Sequence, residues 1–276
     1  MRRWVTLSAN QQGDYAFLLP ISAMVWRKIA KYEPICLLTE GREDWDTPTG
    51  RVVVDMIGRL ELRKHYIGRI KPPYRTSVQA QCSRQHIALH KQYDAEEDYI
   101  LTADVDMWPL AEWWFNKQDW SKDVHVWYAN AWGYRWYTTG YIGMKVKTWR
   151  EVMKYIASGD LAPVMEAALE KHLTPERDTW QEWWFDEHYF TSRLKAWSGH
   201  PDRIQFMERS GGPPLDRVDR SNWTMSTDGK VDAHVLRPAT SQENLPRVME
   251  LAAKLLSPNE MEMVNGFVKR YMEAKA

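Results

Sequence analysis

Cysteine is scarce in this chain, with only Cys36 and Cys82 among 276 residues. Two lone thiols supply neither a disulfide framework nor the paired spacing of a zinc site. Long apolar runs are missing too. No stretch of about 18 apolar residues occurs, so no membrane span is expected. The start, Met1-Arg2-Arg3-Trp4, turns polar by Ser8-Ala9-Asn10-Gln11-Gln12, and no secretory core is expected there. With so few cysteines, the expected setting is a reducing cytoplasm. Asn222-Trp223-Thr224 then reads as an incidental match to a glycosylation acceptor. An excess of one charge is also absent: 37 basic residues face 37 acidic ones. Proteins that live on duplex DNA normally carry a basic surplus. One local basic stretch remains, Arg63, Lys64, Arg69, Lys71 and Arg75, readable as solvated surface or as phosphate contact. Repeats, low-complexity tracts and long linkers are absent.

Tryptophan is abundant instead, with 16 copies, many of them clustered: Trp113-Trp114, Trp132, Trp136 and Trp180-Trp183-Trp184. Most are expected in the core, with a minority lining an acceptor cleft, because indole faces stack on sugar C–H surfaces and on bases. The hydrophobic fraction of 44% suits a folded domain with a sizeable core.

Hydrophobic periodicity organises the first half into alternating strands and helices. Trp4–Ser8 reads as a strand, Tyr15–Ala30 as a helix, and Pro34–Leu38 and Arg51–Asp55 as further strands. After Pro72-Pro73, a helix is expected from Thr76 to Tyr93, then a strand running into Asp104. Such alternation implies a mainly parallel sheet covered by helices. The second half is more mixed. His125–Tyr128 and Tyr141–Val146 look like strands. Thr148 with Glu151 reads as a capping box opening a helix that Ser158-Gly159 ends. Trp149, Val152, Met153 and Ile156 form its stripe. A helix is expected over Asp178–Ala196, a loop at Ser210-Gly211-Gly212-Pro213-Pro214, and a last helix capped by Ser257-Pro258 and Glu260. The expected organisation is one α/β domain over 1–276. Residues 1–110 form a nucleotide-binding half, 111–240 an acceptor-binding half, and 241–276 C-terminal helices.

Asp104 and Asp106 end the apolar run Tyr99-Ile100-Leu101-Thr102-Ala103. Ligands of open α/β sheets bind beyond the carboxyl ends of the strands, and two carboxylates there suit a hard cation. A second pair, Asp44-Trp45-Asp46, sits among turn residues and reads as a solvated loop. Downstream come three more features. Tyr137-Thr138-Thr139-Gly140-Tyr141-Ile142-Gly143-Met144 carries glycines that allow close backbone approach or simply form a hairpin. Asp186-Glu187 places carboxylates on or beside an aromatic helical stripe, where burial raises a carboxyl pKa. His234, in Asp232-Ala233-His234-Val235-Leu236-Arg237-Pro238, offers an imidazole to an aspartate-bound Mn²⁺, and Arg237 a guanidinium to a diphosphate.

In this order the motifs resemble the GT-A class of nucleotide-sugar glycosyltransferases, over most of residues 3 to 240. The resemblance implies a Rossmann-type, GT-A-like sheet and transfer of a sugar from a nucleoside-diphosphate donor to a hydroxyl acceptor. It implies Mn²⁺ or Mg²⁺ held by Asp104, Asp106 and His234. Nucleotide contacts would come from Ser8, Asn10, Asp14, Arg84, Asp104 and Arg237. Asp186 or Glu187 would serve as base or stabilise an oxocarbenium-like centre. The string Thr139 to Met144 ahead of Trp149-Arg150-Glu151 is similar to the retaining, glycogenin-like family. That family carries Asn-x-Gly where Thr138-Thr139-Gly140 stands here, and Asp-Gln where Asp186-Glu187 stands. Its His-plus-Lys-Pro-Trp ending is matched only in part, by His234 and Arg237-Pro238. An Asp-Glu pair also resembles the base motif of inverting enzymes. The expected acceptor is a glycan, with modified bases of phage-type DNA as the alternative. A nucleotidyltransferase would want a Gly-rich, Arg-containing loop after the first strand, which Ser8–Asp14 lacks. A non-catalytic carbohydrate-binding protein would suit the tryptophans but needs no strand-terminal carboxylates.

Overall fold

The computed structural model describes residues 1–11, 14–71, 74–155, 159–173, 179–208, 216–223 and 226–276. Gln12-Gly13, Pro72-Pro73, Ile156, Ser158, Asp178, Thr224 and the 210–214 loop lie outside the described residues, as does the side chain of Trp180.

The chain opens as the alternation implies. β1 (Arg2–Ala9) leads to α1 (Tyr15–Val25), which continues as a wider π-helical turn over Trp26–Ala30 and stops at Lys31, in the left-handed region. β2 (Glu33–Leu38) follows. The expected strand at 51–55 is instead part of a helix, α2 (Pro48–Arg59). Local start signals outweigh the three consecutive valines there. The Thr47 side chain accepts the Gly50 N–H, Pro48 opens the first turn, and Gly50, Val53, Met56 and Ile57 fall on one buried face. β3 (Arg63–Tyr66) turns part of the basic stretch into an edge strand. α3 (Thr76–His86) ends before Tyr93; a 3₁₀ turn over Ile87–Leu89 follows, and Tyr93 is buried beyond it. β4 (Asp98–Ala103) then delivers Asp104 at its carboxyl end.

In the second half, β5 (Met107–Pro109), α4 (Glu112–Phe115), β6 (Val124–Trp127) and β7 (Ile142–Lys145) come in turn. α5 (Val146–Met153) starts at Lys145 rather than at a Thr148 cap, and it ends at Lys154 rather than Gly159. Thr148 is buried inside the helix, while Glu151 accepts the Trp197 indole N–H at 3.3 Å. α6 (Ala162–His172) is a helix the periodicity did not flag. The expected helix over 178–196 is two helices, α7 (Thr179–Trp183) and α8 (Phe185–Lys195), broken at Trp184. β8 (Ile204–Met207), β9 (Arg217–Val218) and β10 (Asp232–His234) complete the described strands, and His234 ends the last of them. α9 (Asn244–Leu255) and α10 (Pro258–Lys275) close the described chain. The capping box at Ser257 and Glu260 is present in both directions.

The main sheet has the order β3-β2-β1-β4-β7-β6-β8. Only β7 runs against the others: it pairs antiparallel with β4 and β6, and the remaining pairings are parallel. A second sheet, β5-β10-β9, pairs His234 with Met107, next to the Asp106 end of the first carboxylate loop. One apolar layer places α1, α2 and α10 on one face of the main sheet, where Phe17 packs on Phe267 and Tyr271. The other layer joins α3, α5, α6 and α8 to the opposite face around Trp149, Phe190 and Leu194. Trp26, Trp45, Trp108, Trp127 and Trp149 are fully buried, while Trp113, Trp120, Trp132 and Trp183 are exposed, so fewer of the described tryptophans are core than expected. No helix among the described residues is long and apolar enough to cross a membrane.

The decoy pair behaves differently from Asp104 and Asp106. Trp45 is buried, Asp44 pairs with Arg69, and Asp46 with Arg51 on the surface. The basic stretch is largely engaged within the protein as well. Arg63 covers the Trp4 ring at 4.4 Å, Lys71 lies 3.9 Å from Glu166, and Arg75 lies 3.6 Å from Glu182.

Candidate active site

A cleft of ≈ 320 Å³ opens at the carboxyl ends of β1 and β4. Its lining brings together Ser8, Asn10, Arg84, Asp104, Asp106, Asp186, Glu187, His234 and Arg237, which lie far apart in the sequence. Topology explains the meeting. Neighbouring parallel strands β1 and β4 end on the same edge of the sheet, and the β5–β10 pairing carries His234 back to that edge.

Arg84 is the hub of one side. It is buried on α3, and its two terminal nitrogens reach Asp104 and Asp186, the latter at 3.2 Å. Burial works against its charge, yet the two carboxylates raise its pKa further. Asp186 also accepts the Thr139 hydroxyl, and Thr139 in turn gives its backbone carbonyl to the Thr102 hydroxyl at 2.7 Å. Burial pushes the Asp186 carboxyl upward while Arg84 and Thr139 pull it down; the net shift is upward. The glycine of this string has a local purpose. A Cβ on Gly140 would stand 3.0 Å from Asp104 Oδ2, so the close approach it permits is to a carboxylate.

Glu187 differs from its neighbour. Its Oε2 is buried with no hydrogen-bond partner among the described residues. Burial, then the charges of Asp186 and Asp104, push its pKa up to about 9. The shift favours the protonated carboxyl, which donates a hydrogen bond.

Asp106 anchors the other side. Arg220 contacts its Oδ2, His234 Nε2 lies 3.6 Å away and Arg237 Nε 3.4 Å away. Burial raises the Asp106 carboxyl, but the His234 hydrogen bond and the Arg220 charge outweigh it and hold it below the usual carboxylate range. His234 Nδ1 faces Asp219 at 3.6 Å. Such a carboxylate behind an imidazole fixes the orientation of the ring. The donor chemistry of Asp104, Asp106 and His234 fits Mn²⁺ or Mg²⁺. As drawn together, Asp106 and His234 form a pair, and among the described residues no cluster of three ligating side chains is assembled. Asp104 has one oxygen on Arg84 and the other toward Gly140.

The remaining expected nucleotide contacts divide. Ser8 and Asn10 line the cleft, with Ser8 Oγ 2.7 Å from Ser83 Oγ and Asn10 donating to Thr76 Oγ1 at 2.9 Å. Asp14 is not among the lining residues. Its carboxylate accepts the Ala239 N–H at 2.7 Å and the Thr240 hydroxyl at 2.8 Å, which ties the start of α1 to the segment after β10. Sequence reasoning passed over Tyr15, Thr139 and Arg220 as site residues. Tyr15 lines the cleft with the Arg237 guanidinium 5.1 Å from its ring. Arg220 sits in a 3₁₀ turn with no motif around it. The Asp106 it meets is 114 residues away, a pairing no local pattern reports.

No family model and no curated protein matches the chain. Among solved structures, it is similar to the galactosyltransferase LgtC in complex with donor and acceptor sugar analogues. Identity there is 15%, coverage is 95% of this chain and 99% of that one, and the TM-score is 0.49. It is also similar to the glycosyltransferase GlyE of Streptococcus pneumoniae TIGR4, at 10% identity and TM-score 0.49, over 100% of this chain and 64% of that one. A third is the bifunctional glycosyltransferase WbbM, at 12% identity and TM-score 0.46, over 96% of this chain and 51% of that one.

Proposed function

We propose that this cleft transfers a sugar from a nucleoside-diphosphate donor to a hydroxyl acceptor, with Mn²⁺ or Mg²⁺ as cofactor. The observation that carries the reading is the separation of charge within one cleft. Arg237, Arg220 and His234 gather around Asp106, whereas Asp104, Asp186 and Glu187 gather around the single buried Arg84. A leaving diphosphate needs the first group, and an uncharged acceptor beside a developing cationic sugar carbon suits the second.

The residues divide the work accordingly. Ser8 and Asn10, at the end of β1, face the nucleoside. Arg237, which lines the cleft, meets the diphosphate oxygens as a charged donor, and Arg220, held on the Val235 carbonyl and on Asp106, adds positive charge behind Asp106. Asp106 and His234 would hold the cation together with Asp104. When bound there, the metal supplies Lewis-acid neutralisation of the diphosphate. Asp186, fixed by Arg84 and Thr139, contributes negative charge near the anomeric carbon without moving. Glu187 donates from its protonated carboxyl. With Asp186 engaged and Glu187 neutral, neither is a free base. The acceptor proton then passes to the departing diphosphate oxygen as the bond from sugar carbon to phosphate oxygen breaks and the bond to the acceptor oxygen forms.

The test is a donor screen that measures nucleoside diphosphate release from a panel of sugar nucleotides, with and without Mn²⁺. Release from at least one donor, dependent on the metal, is expected. No release from any donor, together with no thermal stabilisation by nucleoside diphosphate plus Mn²⁺, would sink the proposal.

A further inference from the structure

A wall of aromatic side chains continues out of the cleft on the Glu187 side. Trp183 and Trp184 line the cleft itself, and Trp183 keeps 40% of its surface exposed. Trp132, 36% exposed, stands edge-on to Trp184 at 5.3 Å and packs against Trp136 at 6.0 Å. Trp136 rests on His188 at 4.6 Å, one helical step beyond Glu187. Trp132 and Trp136 belong to the loop between β6 and β7, in which Gly133 and Tyr134 adopt positive φ. Lys195 fastens that loop by donating to the carbonyls of Tyr134 and Arg135, at 3.2 and 2.8 Å. The wall is therefore held in place before any ligand arrives.

Exposed indoles in a contiguous group are costly unless something covers them, and such patches mark binding surfaces. Three properties select the occupant. The wall is continuous with the donor cleft, so its occupant meets the reaction centre. Its ionisable surroundings are balanced, with Arg135 5.2 Å from the Trp136 ring and Lys195 on the loop carbonyls against Asp186 and Asp104, which Arg84 already pairs, so the wall lacks the one-sign basic field a polyanion needs. It reaches the chemistry through Glu187, which shares the cleft lining with Trp183 and Trp184 and whose Oε2 is buried with no hydrogen-bond partner among the described residues.

Resting on the glycosyl-transfer reading, we propose that Trp132, Trp183 and Trp184 form the acceptor subsite and bind the C–H face of a neutral sugar ring, with Glu187 hydrogen-bonded to one of its hydroxyls. The acceptor is a carbohydrate, not a nucleobase.

Saturation-transfer NMR tests this with four disaccharides (lactose, maltose, cellobiose and N,N′-diacetylchitobiose) and with a ten-residue thymidine oligonucleotide, all in the presence of UDP and Mn²⁺. At least one disaccharide is expected to receive saturation, strongest at the protons of one ring face. Trp132→Ala should weaken that binding by about tenfold, the loss of one aromatic stack, and Trp132→Phe should restore most of it. Binding by none of the disaccharides, equal binding by Trp132→Ala, or binding of the oligonucleotide in their place would each overturn the proposal. UDP, GDP, ADP and dTDP, each with Mn²⁺, are measured separately on the wild type by thermal shift. Failure of all four would count against glycosyl transfer and leave the sugar result to judge the wall by itself.

Discussion

Arg84 Nη2 lies 3.2 Å from Asp186 Oδ2, with the two side chains only 4% and 3% exposed. The same guanidinium holds Asp104. One buried cation thus fixes both a strand-terminal and a helical carboxylate.

Replacing Arg84 should therefore harm the fold as well as the cleft. Arg84→Met leaves Asp186 buried without its partner, and breaking a buried pair this way costs about 3–5 kcal/mol. Urea denaturation is the check. Arg84→Lys should not rescue, because one ammonium cannot replace the fork that reaches two carboxylates. Full stability in either variant would show that the hub is dispensable.

Asp106→Asn removes the charge that His234, Arg220 and Arg237 share. Metal-dependent turnover should fall by about 100-fold or more, with the circular dichroism spectrum unchanged. Wild-type turnover in this variant refutes the role given to Asp106.

Glu187 makes a pH signature. Burial and the charges of Asp186 and Asp104 raise its folded pKa to about 9 from the 4.5 of a free glutamate. Its contribution to stability is thus fully present below about 4.5 and is lost as pH rises through about 9. Within that window the wild type should lose up to ~1.4 kcal/mol per pH unit relative to Glu187→Gln, which stays neutral. Urea midpoints at pH 5, 7 and 9 read this directly. Transfer by the wild type should also decline above about 9, while Glu187→Gln should show no such alkaline limb. Parallel pH curves for the two proteins would remove the protonated carboxyl from the account.

Asp14 should act on stability and not on the nucleotide. Asp14→Ala strips the Ala239 N–H and the Thr240 hydroxyl of their acceptor. Charge-assisted hydrogen bonds of this kind are worth about 1.5–3 kcal/mol each. The melting temperature should drop, and the Kd for UDP with Mn²⁺ should stay within about twofold of wild type. A large loss of UDP affinity with unchanged melting would return Asp14 to the nucleotide site.

The parts visible in the sequence are those written in local patterns. The strand that ends at Ala103 and the Ser257 box follow from β-propensity or capping residues within a few positions. Residues 51–55 went the other way, because the Thr47 cap and the buried face of α2 outweigh the β preference of Val52-Val53-Val54. Thr148 had the right residues for a box, but the chain leaving β7 had already turned helical at Val146. At the site, Asp104, Asp106, Asp186, Glu187 and His234 could be singled out because each stands in a distinctive string. Arg220 and Tyr15 could not, since only the fold gives them their neighbours. The choice between Asp186 and Glu187 was beyond the sequence for the same reason. It depends on which carboxylate Arg84 reaches.

The tie between Asp14 and Thr240 reaches further: Lys275 Nζ donates to the Thr240 hydroxyl at 2.6 Å, and Tyr271 packs on Phe17. During synthesis, β1 leaves the ribosome long before His234, Arg237 and α10 do. A nascent chain can lay down its first four parallel strands early, yet the cleft has no second wall until β10 follows and pairs with β5. A chain cut anywhere before β10 would keep that half of the sheet and lose the wall that carries His234 and Arg237.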